Sequence, residues 1–375
     1  MFGQVRSNKP AVLVLGAVVF IAAFVGLAFN HIQPWKGNED DVNFDIPATP
    51  DAPKSPPHKT DSTLIKTYIE RMMKSVVKVD TRMYYPWGAF ATEFHEDPYW
   101  RKPLGEKLCI IDLDSRTFDA PGQAFSEKGM SWSRPSEIHG LSTGVINHWA
   151  YAKIHGYKYY YIDIDGYDDR RDSWKKPTIL AKILKKHDAC IYLDSDAIFN
   201  NMDLPFEWLM NYWNLNPGTN SLALAADPSH KNNQDKFGKV YLNTGFIVAQ
   251  NNDKTFEIFD EWDACAEDGG KHPDCVDFRN NRPGKPTDQG GFGTYIRYDY
   301  PKDIKELPCT EANGFPESHS GCEGKFIKHL WTGKKDWIKV AVGGQLPGDL
   351  LEEFQKDFLA SKKDFYMTEK QLMST

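Results

Sequence analysis

Three pairs of aspartates stand one residue apart in this sequence: Asp112-Leu113-Asp114, Asp163-Ile164-Asp165 and Asp194-Ser195-Asp196. Each ends an apolar, strand-forming run. In an extended strand residues i and i+2 point to the same side, so each pair would bring two carboxylates to one place, about 6–7 Å apart along the backbone. Two converging carboxylates repel unless a cation lies between them. Oxygen ligands suit a hard divalent ion such as Mn²⁺ or Mg²⁺. Such an ion can carry a diphosphate and neutralise the charge that grows on it as it leaves. One copy alone is a weak signal, because solvated or capping aspartates read the same way. Context separates the three. Asp194 ends the most continuous apolar strand, and Ala197-Ile198-Phe199 leads back into the core, which gives a metal site its rigid frame. Asp163 and Asp165 run into the charged loop Gly166-Tyr167-Asp168-Asp169-Arg170. Asp112 and Asp114 follow the first strand and are expected near a nucleotide base or ribose.

The elements that must position these residues alternate. Strands are expected over 107–113, 158–164 and 189–194, with helices over 136–155 and 174–186 between them. A helix FEWLMNYW, a strand SLALAA, a strand KVYLNTGFIVAQ and a helix over 253–265 follow. This order predicts an α/β fold: a mainly parallel sheet with helices on both faces. Ligands of such sheets sit at the carboxyl ends of the strands, where all three aspartate pairs lie.

The chain has 375 residues and a net charge of −7, which argues against a nucleic-acid partner. Ala11 to Phe29 carries no charge and, as a helix, is about 30 Å long, the thickness of a bilayer core. Arg6 and Lys9 precede it and Glu39, Asp40 and Asp41 follow, so residues 1–10 are expected as a cytosolic tail and 11–29 as a retained signal anchor. Residues 30–80 then form a Pro-rich stem with a connecting helix over 61–80, residues 81–345 the catalytic domain, and 346–375 a helical extension. Of six cysteines, Cys109 and Cys190 lie in apolar strands and are expected buried and reduced. Cys265, Cys275, Cys309 and Cys322 lie in polar stretches; pairing Cys265–Cys275 and Cys309–Cys322 would close two short loops, as suits an oxidising compartment.

Asp163-Ile164-Asp165-Gly166 has the start of a haloacid-dehalogenase-type phosphatase motif, but Tyr167-Asp168 replaces the Thr or Val that would follow. A broader likeness spans roughly residues 105–335. It rests on Asn147-x-x-x-Tyr151-Ala152-x-x-His155-Gly156-Tyr157, on Trp174-Lys175-Lys176, on Ile191 to Phe199 around Asp194-Ser195-Asp196, on Leu242-Asn243-Thr244-Gly245-Phe246, on Asp288-Gln289 and on His329. In these blocks the sequence resembles the family-34 glycosyltransferases, which include fungal galactosyl- and mannosyltransferases and plant xyloglucan xylosyltransferases. Gln250, where the family often has Arg, is a departure.

The resemblance implies a GT-A fold and a retaining transfer of a hexose or pentose from UDP-galactose, GDP-mannose or UDP-xylose to a glycan acceptor. It also implies a single-pass type II protein of the Golgi membrane, with a lumenal catalytic domain and other glycosyltransferases as possible partners. Asp194, Asp196 and His329 would hold Mn²⁺ or Mg²⁺. Ser195, Lys176, Asn243 and Lys334 would bind the donor, Lys334 or Lys335 as a point charge on the diphosphate. Asp288 and Gln289 would flank the sugar, unless Asp288 caps a helix. Trp208, Trp213 and Trp262 either line the acceptor groove or pack. A non-catalytic subunit of the same fold, in a glycosyltransferase complex, is the alternative.

Overall fold

The computed structural model describes residues 62–71, 77–86, 90–282, 286–346 and 348–375. The apolar run 11–29 and most of the Pro-rich stem lie outside them. Among the described residues no helix is long and apolar enough to cross a membrane. The connecting helix covers Ser62–Arg71.

The strands and helices that frame the site are, in chain order, β1 (Leu108–Asp114), α1 (Gly140–His155), β2 (Lys158–Asp163), α2 (Lys176–Leu184) and β3 (Ala189–Leu193). Then come β4 (Ala197–Phe199), α3 (Phe206–Tyr212), β5 (Leu222–Ala226), β6 (Leu242–Gln250) and α4 (Asp253–Cys265). The chain closes with β7 (Ile304–Leu307), β8 (Ile327–His329), α5 (Trp337–Gln345), α6 (Gly348–Ala360) and β9 (Tyr366–Thr368).

Seven strands form one sheet in the order β9-β2-β1-β3-β6-β5-β7. The neighbours β9–β2, β2–β1, β1–β3 and β5–β7 are parallel, and β6 runs antiparallel to β3 and β5. The sheet is therefore mainly parallel, as expected. Strand period divides its side chains between two cores. Ile110, Ile191 and Leu193 pack on one side with α1, α5 and α6; Ile111, Cys190 and Tyr192 pack on the other with α2 and α4. Helix α1 is buried from Gly140 to Ala152 and stops at Gly156, whose φ of 74° only glycine adopts easily. Trp208, Trp213 and Trp262 are core residues, so none of them lines a groove.

Three features differ from expectation. The extension after residue 345 is not only helical, for β9 adds an edge strand beside β2. Strands β4 and β8 form a separate antiparallel pair; each has three residues, too short to show a period. The third correction concerns Cys109 and Cys190, which are not reduced. They form a disulfide with Cα atoms 4.5 Å apart. The reason is register: β1 and β3 are neighbours, and Cys109 lies directly beside Cys190. Cys265–Cys275 and Cys309–Cys322 pair as expected.

Candidate active site

A cleft of about 680 Å³ opens at the carboxyl ends of β1, β2 and β3, with Asp114, Ile164, Asp194, Ser195 and Asp196 on its wall. Asp194-Ser195-Asp196 is not extended strand. Ala197 N donates to Asp194 O at 2.8 Å, closing a turn between β3 and β4. The two carboxylates thus converge because the backbone folds back, and not through the i, i+2 alternation of a strand. Helix α1 presses on this turn through Gly144, where a Cβ would lie 2.1 Å from Ser195 O.

The β4–β8 pair brings in the third group. His329 stands beside Ala197 in register, and Leu330 N donates to Asp196 O at 2.8 Å. His329 Nε2 lies 3.1 Å from Asp196 Oδ1. Asp194, Asp196 and His329 together offer one ligand atom each, all within 4.8 Å of one another. Two carboxylates and an imidazole are a donor set that fits a divalent ion of the Mn²⁺ type. His329 is prepared for that role. Its Nδ1 faces Asn313 Oδ1 at 3.2 Å, and the Asn313 amide nitrogen is turned to Asp227, so Nδ1 carries a proton and Nε2, on the Asp196 side, is the nitrogen that would meet an ion. The space is tight: a Cβ on Gly245 would lie 2.4 Å from His329 Cε1 and 2.8 Å from Asp194 Oδ2.

Two lysines add positive charge. Lys176, at the start of α2, is 4% exposed. Its Nζ lies 3.2 Å from Asp194 and 3.3 Å from Asp288 and donates to Thr244 O at 3.1 Å. Burial works against its charge, but Asp194 and Asp288 outweigh it and hold its pKa above the usual lysine value. Lys334, on the cleft wall, pairs with Asp196. Burial pushes the Asp196 carboxyl up, yet His329 and Lys334 prevail and hold it well below the usual carboxylate range. For His329 burial pulls down and Asp196 pulls up more strongly, so its pKa is raised.

Strand β6 carries a bulge opposite the cluster. Leu224 pairs with Ile247 but Ala225 with Asn243, so 244–246 have no partner in β5. Bulges of this kind re-aim backbone and side chains. Here the freed segment donates Thr244 Oγ1 to Asp288 at 2.8 Å and offers Gly245 O to Asp194 N at 2.8 Å. Asp288 lies in the first turn of the short helix Thr287–Gly291, whose N-cap is Pro286; it is not the cap. Gln289, also on the cleft wall, donates Nε2 to Asp227 Oδ2 at 2.5 Å.

Of the residues singled out in the sequence, the structure gathers Asp194, Ser195, Asp196, Lys176, Asp288, Gln289, His329 and Lys334. Asn243 is close, but both ends of its amide are engaged: Nδ2 donates to Asp227 at 2.8 Å, and Oδ1 accepts from Gly245 N at 2.7 Å. Sequence reasoning missed Arg116, whose Nη2 donates to Ser195 Oγ at 3.0 Å while its fork grips Asp114. It also missed Tyr192, which donates to Asp194, and Asp227 and Asn313. The only sequence signal for Arg116 is its place two residues after an Asp-x-Asp pair.

Residues 128–278 match the galactosyl transferase GMA12/MNN10 family. This stretch is similar to the glycosyltransferases of that family. The matched stretch holds Lys176, Asp194, Ser195, Asp196 and Asn243; Asp288, Gln289, His329 and Lys334 come from beyond it. Comparison with curated proteins returns no match. Similar solved structures include a glycosyltransferase involved in glycosylation of the major capsid of PBCV-1, at 13% identity and TM-score 0.44, covering 62% of this chain and 98% of that one. Others are the glycosyltransferase GlyE of Streptococcus pneumoniae TIGR4, at 13% identity, TM-score 0.37 and coverages of 71% and 66%, and apo mouse xyloside xylosyltransferase 1, at 14% identity, TM-score 0.35 and coverages of 60% and 98%.

Proposed function

We propose that this glycosyltransferase moves a hexose or pentose, galactose or mannose by preference, from a nucleotide sugar to a glycan acceptor with retention of anomeric configuration, and that it needs Mn²⁺. The observation that carries this reading is the convergence of Asp194, Asp196 and His329 beside a cleft that also presents Lys334, Asp288 and Gln289. A divalent cation held by those three residues would carry the donor's diphosphate and stabilise it as a leaving group. Lys334 then meets the phosphate charge on the open side. Asp288, neutralised by Lys176, is held from attacking as a free nucleophile. That fits front-face transfer, in which the acceptor oxygen enters on the side the diphosphate leaves, taking its place at the anomeric carbon while its proton passes to the departing phosphate.

The protein's setting belongs to the same proposal. The uncharged run 11–29 with basic residues before it supports a type II anchor, and three disulfides support an oxidising lumen such as the Golgi. Other glycosyltransferases are candidate partners there. A chain beginning near residue 60 should stay soluble and active; failure to fold would argue against an anchor and stem. The direct test screens UDP-galactose, GDP-mannose and UDP-xylose for Mn²⁺-dependent turnover, with the anomeric configuration of the product read by NMR. Inverted product, or turnover undiminished by chelation, would refute it.

A further inference from the structure

Asp227 lies outside the groups already given a role. It is 9% exposed and sits behind the cleft wall, where three side-chain amides converge on it. Asn243 Nδ2 at 2.8 Å and Asn313 Nδ2 at 3.1 Å reach its Oδ1; Gln289 Nε2 reaches its Oδ2 at 2.5 Å. Every contact is a donor pointing at the carboxylate. A buried carboxylate without a cationic partner is costly, and amide donors are what make it tolerable. Such an acceptor-only group has a further consequence. A carboxamide can face it only with its NH₂ end. Gln289 lines the cleft, so with Nε2 committed inward, Oε1 is the end left for the donor sugar.

We infer that Asp227 is a positioning residue that locks the Gln289 carboxamide with its carbonyl oxygen toward the anomeric centre. This rests on the transfer reaction proposed above. The carbonyl dipole stabilises positive charge as the sugar–diphosphate bond stretches, whereas a flipped amide would present N–H donors to the same centre and oppose it. The dipole is oriented before the reaction and needs no reorganisation during it. Asn243 and Asn313, which share Oδ1, leave Oδ2 to Gln289.

The test exploits polarity. In Asp227→Asn the new Oδ1 keeps Asn243 and Asn313, but its Nδ2 meets Gln289 Nε2, donor against donor, and Gln289 flips. Turnover should fall by about 10- to 100-fold, as for other orienting partners, while Mn²⁺–nucleotide affinity measured by calorimetry stays close to wild type. Gln289→Glu sets carboxylate against carboxylate and should fall further. Combining the two restores a donor–acceptor pair with an oxygen again facing the cleft. The double variant should therefore exceed Gln289→Glu by at least about 10-fold in turnover and melt several degrees above it. Additive losses, or a fall in nucleotide affinity equal to that in turnover, would overturn the assignment while leaving the transfer reaction standing. A wild-type protein that turns over none of the three donors overturns both, and shows this before any variant is made.

Discussion

Asp112-Leu113-Asp114 and Asp194-Ser195-Asp196 are the same motif at the carboxyl ends of neighbouring parallel strands, and they end in opposite states. Asp112 is 1% exposed. It accepts from Tyr159 and lies 2.8 Å from His148 Nδ1, and burial pushes its pKa up. His148 Nε2 in turn donates to Ala197 O at 2.6 Å. Asp114 is gripped by the fork of Arg116. Asp112 is thus closed off by Tyr159 of β2 and by His148, which bridges it to Ala197 of β4, and Asp114, though on the cleft wall, is taken up by Arg116. Asp194 and Asp196 instead turn their oxygens toward one another and His329, beside lysines on the cleft. A spacing of carboxylates therefore defines no role. The difference comes from the turn after β3, which throws two side chains outward, and from the β4–β8 pairing, which supplies an imidazole.

The sharpest break in the comparison is Asp196→Ala. It removes a proposed ligand and the partner of both His329 and Lys334, so turnover should drop by well over about 100-fold, more than for an outer-sphere change. Mn²⁺-dependent nucleotide binding should vanish with it in calorimetry. Asp112→Ala should do the reverse. It strands His148 Nδ1 and Tyr159 OH in the core, at about 3–5 kcal/mol, so urea denaturation should show a large loss of stability. Nucleotide affinity of the folded fraction should change only a few-fold. If Asp112→Ala abolished metal-dependent binding while its stability held, the two pairs would have been assigned the wrong way round.

The extent to which this contrast was legible in the sequence follows from what each part depends on. Strands β1, β2, β3 and β6 and helix α4 are readable because long apolar runs and helical periodicity are local signals. The Asp194-Ser195-Asp196 pair is readable through its residue types, but the turn that makes its carboxylates converge is not, because the preceding apolar run reads as continuous strand. His329 is visible only through family likeness, since what places it beside Asp196 is a pairing of two three-residue strands whose partners lie 128 (Ile327 and Phe199) to 132 (His329 and Ala197) positions apart. Asp227 and Asn313 carry no local mark; a bulge in β6 and the amides around it make them matter. The same limit explains Cys109 and Cys190, whose strands had to be known as neighbours before the pair could be seen.

That disulfide bears on the comparison, because it ties β1 to β3 just below the two aspartate pairs. The chain between its ends spans a sequence separation of 81, and closing a loop of that size in the unfolded state is worth about 4.5 kcal/mol in the chain-entropy model. Cys109→Ser with Cys190→Ser should lower the melting temperature strongly. Turnover at low temperature should survive, since hydrogen bonds of the parallel ladder still hold Leu108 to Ile111 against Ala189 to Tyr192. Loss of activity in a variant that remains folded would mean that the staple sets the cleft's geometry as well as its stability.

The smallest effect should come from the third pair. Asp165 is exposed and absent from the cleft wall; its backbone N–H, not its side chain, is bonded, to Glu369 Oε2 at 3.1 Å. Asp163 accepts from Tyr366 OH at 2.6 Å, which fastens the edge strand β9 rather than a ligand. Replacing Asp165 by Ala keeps the backbone bond and removes only a solvated charge, so stability should move by no more than about 0.5 kcal/mol, with turnover and Mn²⁺ affinity unchanged. Steady-state kinetics beside calorimetry would check this. A large loss of turnover would be informative in its own right: it would mean that the acceptor, or a part of the donor not yet placed, reaches past β2 to the Asp165 loop, and that two of the three pairs serve the reaction.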